Sequence, residues 1–277
     1  MSPALLVWSA APGRVPSGGM LPGTSNALVV LTQNVWGGAP LWTRRRARLA
    51  RCIGDIQPDV VGLQEIHAPT TRGDESQAHE IANEIGGYEV LFAPARVSAS
   101  GSCEGVALLV RAGLEITDRS VWKLSVDATD PLDAPHQRVV LRAAVRRGVV
   151  VDVLVTHLSL SKSARQRTLR ELTIFAGEER RASRSAGAVL LGDLNATPTD
   201  PSLAELDSNG WVDAWDRANP EGSGATWPAA VPFRRLDYIW SQLGADWRVV
   251  ECRRTPIAGS DHVGLWARLM WSDAAGA

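Results

Sequence analysis

The sequence predicts a mixed α/β domain in which β-sheets pack on each other and helices lie outside them. Apolar runs of strand length, rich in β-branched residues and bounded by Gly, Pro or Asp, recur from residue 27 onward. Segments with helical apolar periodicity separate some of these runs, whereas other runs follow one another directly. Early strand–helix units followed by consecutive strands are typical of packed sheets with outer helices.

The predicted elements follow in chain order. The apolar runs predict eight strands: Leu28–Gln33, Val60–Leu63, Val106–Val110, Val139–Val145, Val149–Thr156, Ala188–Leu191, Leu236–Trp240 and Val263–Leu269. The segments between them predict three helices: Trp42–Ile56, Glu75–Ile85 and Ser163–Arg181. In the third helix, Leu169, Leu172 and Phe175 share one face, as expected for packing against a sheet.

Composition changes near residue 26. Residues 1–26 are rich in Pro, Gly and Ser and show no periodicity, which predicts a flexible leader, and Met1 and Met20 both remain possible starts. The rest shows no internal repeat or low-complexity linker. We therefore expect one domain over residues 27–272 and a short tail over residues 273–277.

Charge and cysteine content exclude several classes of protein. The 277 residues include 29 basic and 30 acidic side chains, for a formal net charge of −1. This balance does not favour tight binding to nucleic acid, although local basic patches are possible. Three cysteines without Cys-x-x-Cys spacing support neither a disulfide framework nor a cysteine zinc site. With no apolar run long enough to span a bilayer, we expect a cytoplasmic monomer without integral membrane association.

Polar residues repeatedly follow the predicted strands. A single Asp or Asn at such a position most often caps a turn, but six strand ends carry polar residues here. Strand ends that meet at one sheet edge are where α/β enzymes build their sites. The residues concerned are Asn34, Glu65, His157, Asp193, Asn195, Asp237, Asp261 and His262.

The chemistry of these side chains is consistent with phosphate ester hydrolysis. The carboxylates of Glu65 and Asp261, with an amide oxygen from Asn34, are hard ligands suited to Mg²⁺ or Mn²⁺. Two histidines can stabilise or protonate a phosphoryl oxygen, and Asp193 can position or deprotonate a water molecule. Together these residues predict metal-assisted hydrolysis.

The order of the motifs resembles that of the endonuclease/exonuclease/phosphatase superfamily. The motifs are Gln-Asn-Val-Trp-Gly (33–37), Leu-Gln-Glu (63–65), Val-Thr-His-Leu (155–158), Gly-Asp-Leu-Asn (192–195), Leu-Asp-Tyr-Ile (236–239) and Ser-Asp-His (260–262). That superfamily includes deoxyribonucleases, apurinic endonucleases and neutral sphingomyelinases. The resemblance implies a four-layered α/β sandwich, with two mixed β-sheets face to face and helices outside.

The resemblance also implies a role for each matched residue. Glu65 is expected to be the principal ligand of Mg²⁺ or Mn²⁺, and Asn34 and Asp261 to help hold the metal directly or through water. Whether one or two ions bind stays open. The catalytic residues implied are Asp193, which activates water; Asn195 and His262, which contact the phosphate; Asp237, which orients His262; and His157, which donates to the phosphate or assists the leaving group.

Several further assignments have two readings. Arg138 is either a phosphate-binding cation or an exposed strand residue, and Trp227 either borders the substrate or packs under its loop. Glu104 either orients His157 or lies at the surface. Three other histidines lack partners at ligand spacing and are predicted at the surface: His67, His79 and His136.

The most specific function that the sequence supports is a metal-dependent phosphoesterase or phosphodiesterase acting on a small-molecule, lipid-headgroup or nucleotide ester. A DNA or RNA nuclease is the main alternative, with Arg44, Arg45, Arg46 and Arg48 forming either a nucleic-acid track or the solvated face of a helix. A catalytically inactive binding module is disfavoured because every motif position is filled. The sequence shows no exposed apolar hairpin or amphipathic anchor of the kind expected for a lipid substrate. The loops predicted to select the substrate are Pro94–Cys103, Asp127–His136 and Asn219–Pro232.

Overall fold

The computed structural model describes residues 8–9, 26–71, 73, 75–244 and 246–272. The predicted tail and nearly all of the predicted leader lie outside the described residues. The described strands are β1 (Trp8–Ser9), β2 (Ala27–Asn34), β3 (Val60–Ala68), β4 (Tyr88–Val97), β5 (Cys103–Arg111), β6 (Glu115–Lys123), β7 (Val139–Arg147), β8 (Val149–His157), β9 (Gly187–Asp193), β10 (Val212–Asp213), β11 (Asp237–Leu243), β12 (Trp247–Arg254) and β13 (Leu265–Trp271). The described helices are α1 (Trp42–Ile56), α2 (Gln77–Ile85), α3 (Lys162–Ser183), α4 (Ala204–Ser208) and α5 (Ala214–Ala218).

These strands form two mixed sheets within the described part of the chain. The first sheet has the order β1-β4-β5-β3-β2-β13-β12, and the second has the order β10-β11-β9-β8-β7-β6. One parallel pair lies inside each sheet, β2 with β3 and β8 with β9, and the other pairings are antiparallel. Each parallel pair is joined through a helix, as parallel strands require.

The two sheets pack face to face over an apolar core. Leu108 and Val30 from the first sheet are buried together with Leu141 and Leu191 from the second. The sheets approach closely at Gly62, where an added Cβ would lie 2.8 Å from the Cβ of Leu191.

Helices cover the outer face of each sheet. Apolar residues of α1 and α2, such as Leu49 and Ile81, cover the first sheet, and those of α3 and α4, such as Leu172 and Leu206, cover the second. This confirms the predicted four-layered α/β sandwich.

All eight predicted strands and three predicted helices are present, with ends shifted by a few residues. Helix α1 has the predicted bounds. Five further strands (β1, β4, β6, β10 and β12) and two short helices (α4 and α5) were not predicted. None of the helices in the described residues is long and apolar enough to cross a membrane.

Candidate active site

Three catalytic candidates form a row across the second sheet. His157 at the end of β8 is the register partner of Asp193 at the end of β9, and Asp193 is the partner of Asp237 at the start of β11. Because β8 and β9 are parallel and β11 is antiparallel to β9, all three side chains lie at one sheet edge. The polar residues predicted from strand ends are thus neighbours in space.

Asn34 connects this row to the first sheet. It ends β2, and its Nδ2 donates to Glu65 Oε1 at 2.9 Å and to Asp193 Oδ2 at 3.1 Å. Its Oδ1 accepts the backbone N–H of Trp36 at 2.9 Å, which fixes the orientation of the amide. Asn34 thus positions two carboxylates, while its amide oxygen keeps a second lone pair for the metal-ligand role that the sequence predicts.

Asp193 is held at both carboxylate oxygens and is 1% exposed. Its Oδ1 accepts the backbone N–H of Asn195 at 2.9 Å, and its Oδ2 accepts from Asn34. The Nε2 atoms of His157 and His262 lie 3.6 and 3.7 Å from that Oδ2. Burial raises the pKa of Asp193, and the nearby Asp237 carboxylate raises it further.

His262 and Asp237 form a buried pair beside Asp193. The Nδ1 of His262 lies 2.8 Å from Asp237 Oδ2, so its Nε2 faces Asp193. Burial alone would lower the pKa of His262, but Asp237, Asp193 and Asp261 outweigh it and raise the pKa to about 10. These carboxylates favour the imidazolium form of His262, which can donate its Nε2–H to an anion.

His157 is in the opposite protonation state. Burial lowers its pKa well below the usual histidine value, and the positive charge of Arg138 lowers it further. The Nδ2 of Asn195 lies 3.1 Å from His157 Nε2 and donates to the carbonyl of Leu158 at 2.9 Å. As a neutral imidazole, His157 can donate one hydrogen bond.

The backbone is strained where it presents these side chains. Trp36, Glu65 and Asn195 adopt left-handed φ values of 55°, 59° and 49°. Glu65 lies in a bulge, where the pairing of β3 with β5 shifts between Leu63 and Ile66. Such positions cost on the order of 1 kcal/mol each and cluster at functional sites. The bulge explains why Glu65 is only partly buried, whereas the preceding residues of β3 are buried.

Glu65 and Asp261 supply the donors that fit a divalent metal. Burial raises the pKa of Glu65, and the carboxylates of Glu104 and Asp261 raise it further. The carboxylate oxygens of both side chains are hard donors of the kind that suit a divalent cation. A second group, Asp193, Asp237 and His262, has potential donor atoms within 4.8 Å of one another. Its histidine is protonated and bonded to Asp237, which suits phosphate contact better than metal binding.

Comparison with known proteins supports the family resemblance that the motifs indicate. The model of the endonuclease/exonuclease/phosphatase family matches residues 31–262. The chain belongs to this family. Its members are hydrolases that act on phosphate esters.

Individual relatives are distant. A structure of an endonuclease/exonuclease/phosphatase from Beutenbergia cavernae is 25% identical, with a TM-score of 0.71 over 90% of this chain and 72% of that one. A mannosyl-6-phosphatase of Bacteroides thetaiotaomicron is 17% identical, with a TM-score of 0.71 over 88% of this chain and all of its own. An uncharacterized Caenorhabditis elegans protein is 30% identical over 117 residues, so the match spans 38% of this chain and 36% of that protein.

In this family member, Arg138 and Trp227 border the site on different sides. Arg138 lines a small cavity with His157; it is half-buried, and its Nε has no hydrogen-bond partner in the structure. Trp227 donates from Nε1 to Asp261 Oδ2 at 3.3 Å. With Asn195 and other residues, it lines a cleft of about 520 Å³. Both residues are therefore placed to meet a substrate.

Arg45 supports the site in a way that the sequence analysis missed. Its guanidinium is buried and donates to five backbone carbonyls: Val35, Trp36, Ala39, Pro40 and Gly259. It thereby ties the loop after Asn34 to the loop before Asp261. Its position four residues before Leu49, on the buried face of α1, was the available signal.

Two other assignments change. The carboxylate of Glu104 lies 3.6 Å from Nε2 of His67, and it forms no hydrogen bond or ion pair with His157 among the described residues, although both line the same small cavity. His79 is buried in α2, with Nδ1 2.9 Å from the hydroxyl of Ser76, so its predicted surface position is wrong. The helical face that it shares with Ala82 explains its burial.

Close packing explains why the last residue of the Gln-Asn-Val-Trp-Gly motif, Gly37, is a glycine. A Cβ there would lie 1.8 Å from the backbone oxygen of Glu65, whereas the nearest atom to a Cβ on Gly38 would be 3.7 Å away. We expect Gly37→Ala to displace the Glu65 bulge and lower phosphoesterase kcat by about 100-fold, with Gly38→Ala close to wild type. Steady-state kinetics of both variants, with circular dichroism as a folding check, measure this. Equal activities would contradict it.

Proposed function

We propose that the chain is a divalent-metal-dependent phosphoesterase or phosphodiesterase that hydrolyses its substrate by in-line attack of an activated water molecule. One observation carries the proposal. The buried Asp193 carboxylate lies between a protonated His262 and the Asn34 amide that also binds Glu65. This arrangement supports the assignment of a base, an anion-binding group and a metal-binding carboxylate to one site.

Asp193 is assigned as the base. In the proposed reaction, the oxygen–phosphorus bond to water forms as the ester bond on the opposite side breaks, and the water proton passes to Asp193 Oδ2. Asn34 and the backbone N–H of Asn195 fix the direction of that carboxylate. Fixing the base in advance removes an orientation cost from the transition state.

His262 is assigned to the phosphoryl group. Its Nε2–H would donate to a non-bridging oxygen, and Asp237 keeps the ring charged and oriented. Arg138 and the neutral ring of His157 line the small cavity on the other side of the site. Preorganised donors of this kind stabilise charge that develops in the transition state.

Glu65 and Asp261 would hold the metal, with Asn34 orienting Glu65. When bound, Mg²⁺ or Mn²⁺ would supply positive charge to the phosphate and to the departing oxygen. This assignment rests on the hard oxygen donors of both side chains and on their electrostatic interaction, since the Asp261 carboxylate raises the pKa of Glu65.

The substrate is proposed to be a small-molecule, lipid-headgroup or nucleotide phosphoester. Support for the nuclease alternative is weaker than the sequence suggested. Arg45 is buried, and Arg46 pairs with Glu80 and Glu84 at 2.7 and 2.8 Å. Half of the proposed arginine track on α1 is therefore engaged within the protein.

Hydrolysis of bis-p-nitrophenyl phosphate and p-nitrophenyl phosphate tests the chemistry. We expect turnover that stops with EDTA and returns with Mg²⁺ or Mn²⁺. Asp193→Ala serves as the inactive control. Metal-independent turnover, or none on any phosphoester, would reject the proposal. A panel of plasmid DNA, single-stranded DNA, RNA, sphingomyelin, inositol phosphates and nucleotides then separates the substrate classes.

A further inference from the structure

An apolar loop stands at the mouth of the catalytic cleft. Residues 228–233 read Pro-Ala-Ala-Val-Pro-Phe, six consecutive residues without a polar side chain, and Arg234 follows. Val231 and Phe233 are 73% and 66% exposed. Trp227, immediately before the loop, lines the cleft together with Arg234 and His262. This exposed apolar hairpin was not recognised in the sequence.

The loop is built into the fold. Trp227 and Arg234 pair as an antiparallel bridge, each donating its N–H to the other's carbonyl at 2.9 Å. The N–H of Ala229 donates to the carbonyl of Asp261 at 2.6 Å, which anchors the loop beside the proposed metal ligand. The exposure of Val231 and Phe233 is therefore imposed by a structured hairpin.

The hairpin leaves few backbone donors unpaired. The N–H groups of Ala229, Val231, Phe233 and Arg234 all donate within the protein. Residues 228 and 232 are prolines and have no N–H, so Ala230 alone has a free donor in this segment. Unpaired N–H groups are costly in an apolar medium, so their scarcity favours placing the tip at a membrane interface, where the carbonyls of residues 229–233, unpaired among the described residues, can still meet water.

Two basic residues, Lys162 and Arg234, line the cleft beside the apolar tip. Leu160, on another wall of the cleft, is 60% exposed and lies two residues before Lys162. Neither Lys162 nor Arg234 forms an ion pair in the described residues. The Arg234 guanidinium lies 5.8 Å from the ring centre of Phe233. Apolar tips flanked by cations match the layering of an anionic lipid surface.

We propose that this hairpin, with Leu160, docks into the interface of an anionic phospholipid membrane. Lys162 and Arg234 then lie at the headgroups, and the catalytic cleft opens toward them. A nucleic-acid strand fits less well, because two of the three apolar tips of this proposed surface, Val231 and Leu160, are aliphatic and offer no face for base stacking. Vesicle binding requires no turnover, so this proposal can be tested apart from the proposed function.

Co-sedimentation of the full chain with phosphatidylcholine vesicles, with and without phosphatidylserine, tests the proposal. We expect binding to the anionic vesicles and a loss of at least about tenfold in partitioning for Val231→Ser/Phe233→Ser. Lys162→Ala/Arg234→Ala should remove the dependence on phosphatidylserine and on salt. A matched double variant, Ile174→Ser/Val250→Ser, changes two exposed apolar residues of α3 and β12 and should bind as wild type does.

Hydrolysis of bis-p-nitrophenyl phosphate and the melting temperature report on folding. Both should be unchanged in Val231→Ser/Phe233→Ser, so that a loss of vesicle binding is assigned to the hairpin. The proposal is overturned if the wild-type chain does not bind anionic vesicles. It is also overturned if the hairpin and control variants bind equally, or if single-stranded DNA is the ligand that Val231→Ser/Phe233→Ser loses.

Discussion

Asp193→Asn should lower kcat for phosphoester hydrolysis by about 10³-fold or more while leaving the fold intact. The variant keeps an oxygen at the position that accepts the Asn195 backbone N–H, but it removes the only oxygen-based proton acceptor that faces both His157 and His262 in the described site. An amide cannot take the proton of the attacking water. Its NH₂ would also meet the NH₂ of Asn34, which now donates to Asp193.

Steady-state kinetics on bis-p-nitrophenyl phosphate at saturating Mn²⁺ measure this loss. Asp213→Asn is the matched control: Asp213 is also buried, on β10 of the same sheet, and its Oδ1 accepts the Trp215 N–H. We expect the control to retain kcat within about threefold, since it lies outside the catalytic residues. Retention of near-full activity by Asp193→Asn would remove Asp193 from its assigned role.

The clustering of catalytic candidates was predictable because it depends on strand direction. Asp193 and Asn34 end strands whose apolar residues are unmistakable in the sequence, and the parallel pairs bring such ends to one edge. Each sheet contributes one such pair, so residues 159 positions apart come within hydrogen-bond distance. The sequence predicted that these residues meet, but not which atoms of each face one another.

Strands with less distinct sequence patterns were missed. β6 and β12 are sheet edges, and their residues are mostly partly or fully exposed, so they lack a continuous apolar run. β4 contains Pro94, next to an irregular register, and proline argues against a strand. In each case tertiary pairing outweighed a weak local preference.

The roles of residues that support the site also could not be predicted from composition or motif spacing. Arg45 resembled its neighbours in an arginine-rich helix, although it binds carbonyls of loops far apart in the chain. The apolar segment before Arg234 resembled an ordinary loop, and its exposure depends on pairing between Trp227 and Arg234. Such roles arise from contacts between distant segments, which a single sequence does not display.

Glu65→Gln should weaken Mn²⁺ binding by at least about tenfold and lower kcat at a fixed metal concentration. The amide oxygen can still accept from Asn34, so the local geometry is preserved while the negative charge is lost. Isothermal titration of Mn²⁺ and the metal-induced rise in melting temperature measure the effect without turnover. Glu104→Gln removes a nearby carboxylate that pairs with His67 and should retain Mn²⁺ affinity.

The same titration distinguishes the two acidic groups of the site. If Glu65 and Asp261 hold the ion, Glu65→Gln loses affinity and Asp237→Asn retains it, because Asp237 serves His262. If the ion instead lies among Asp193, Asp237 and His262, the order reverses, since those donor atoms lie within 4.8 Å of one another. His262 carries a proton at neutral pH and would have to release it to become a ligand. That cost is why we expect Asp237→Asn to impair turnover while leaving metal affinity near that of wild type.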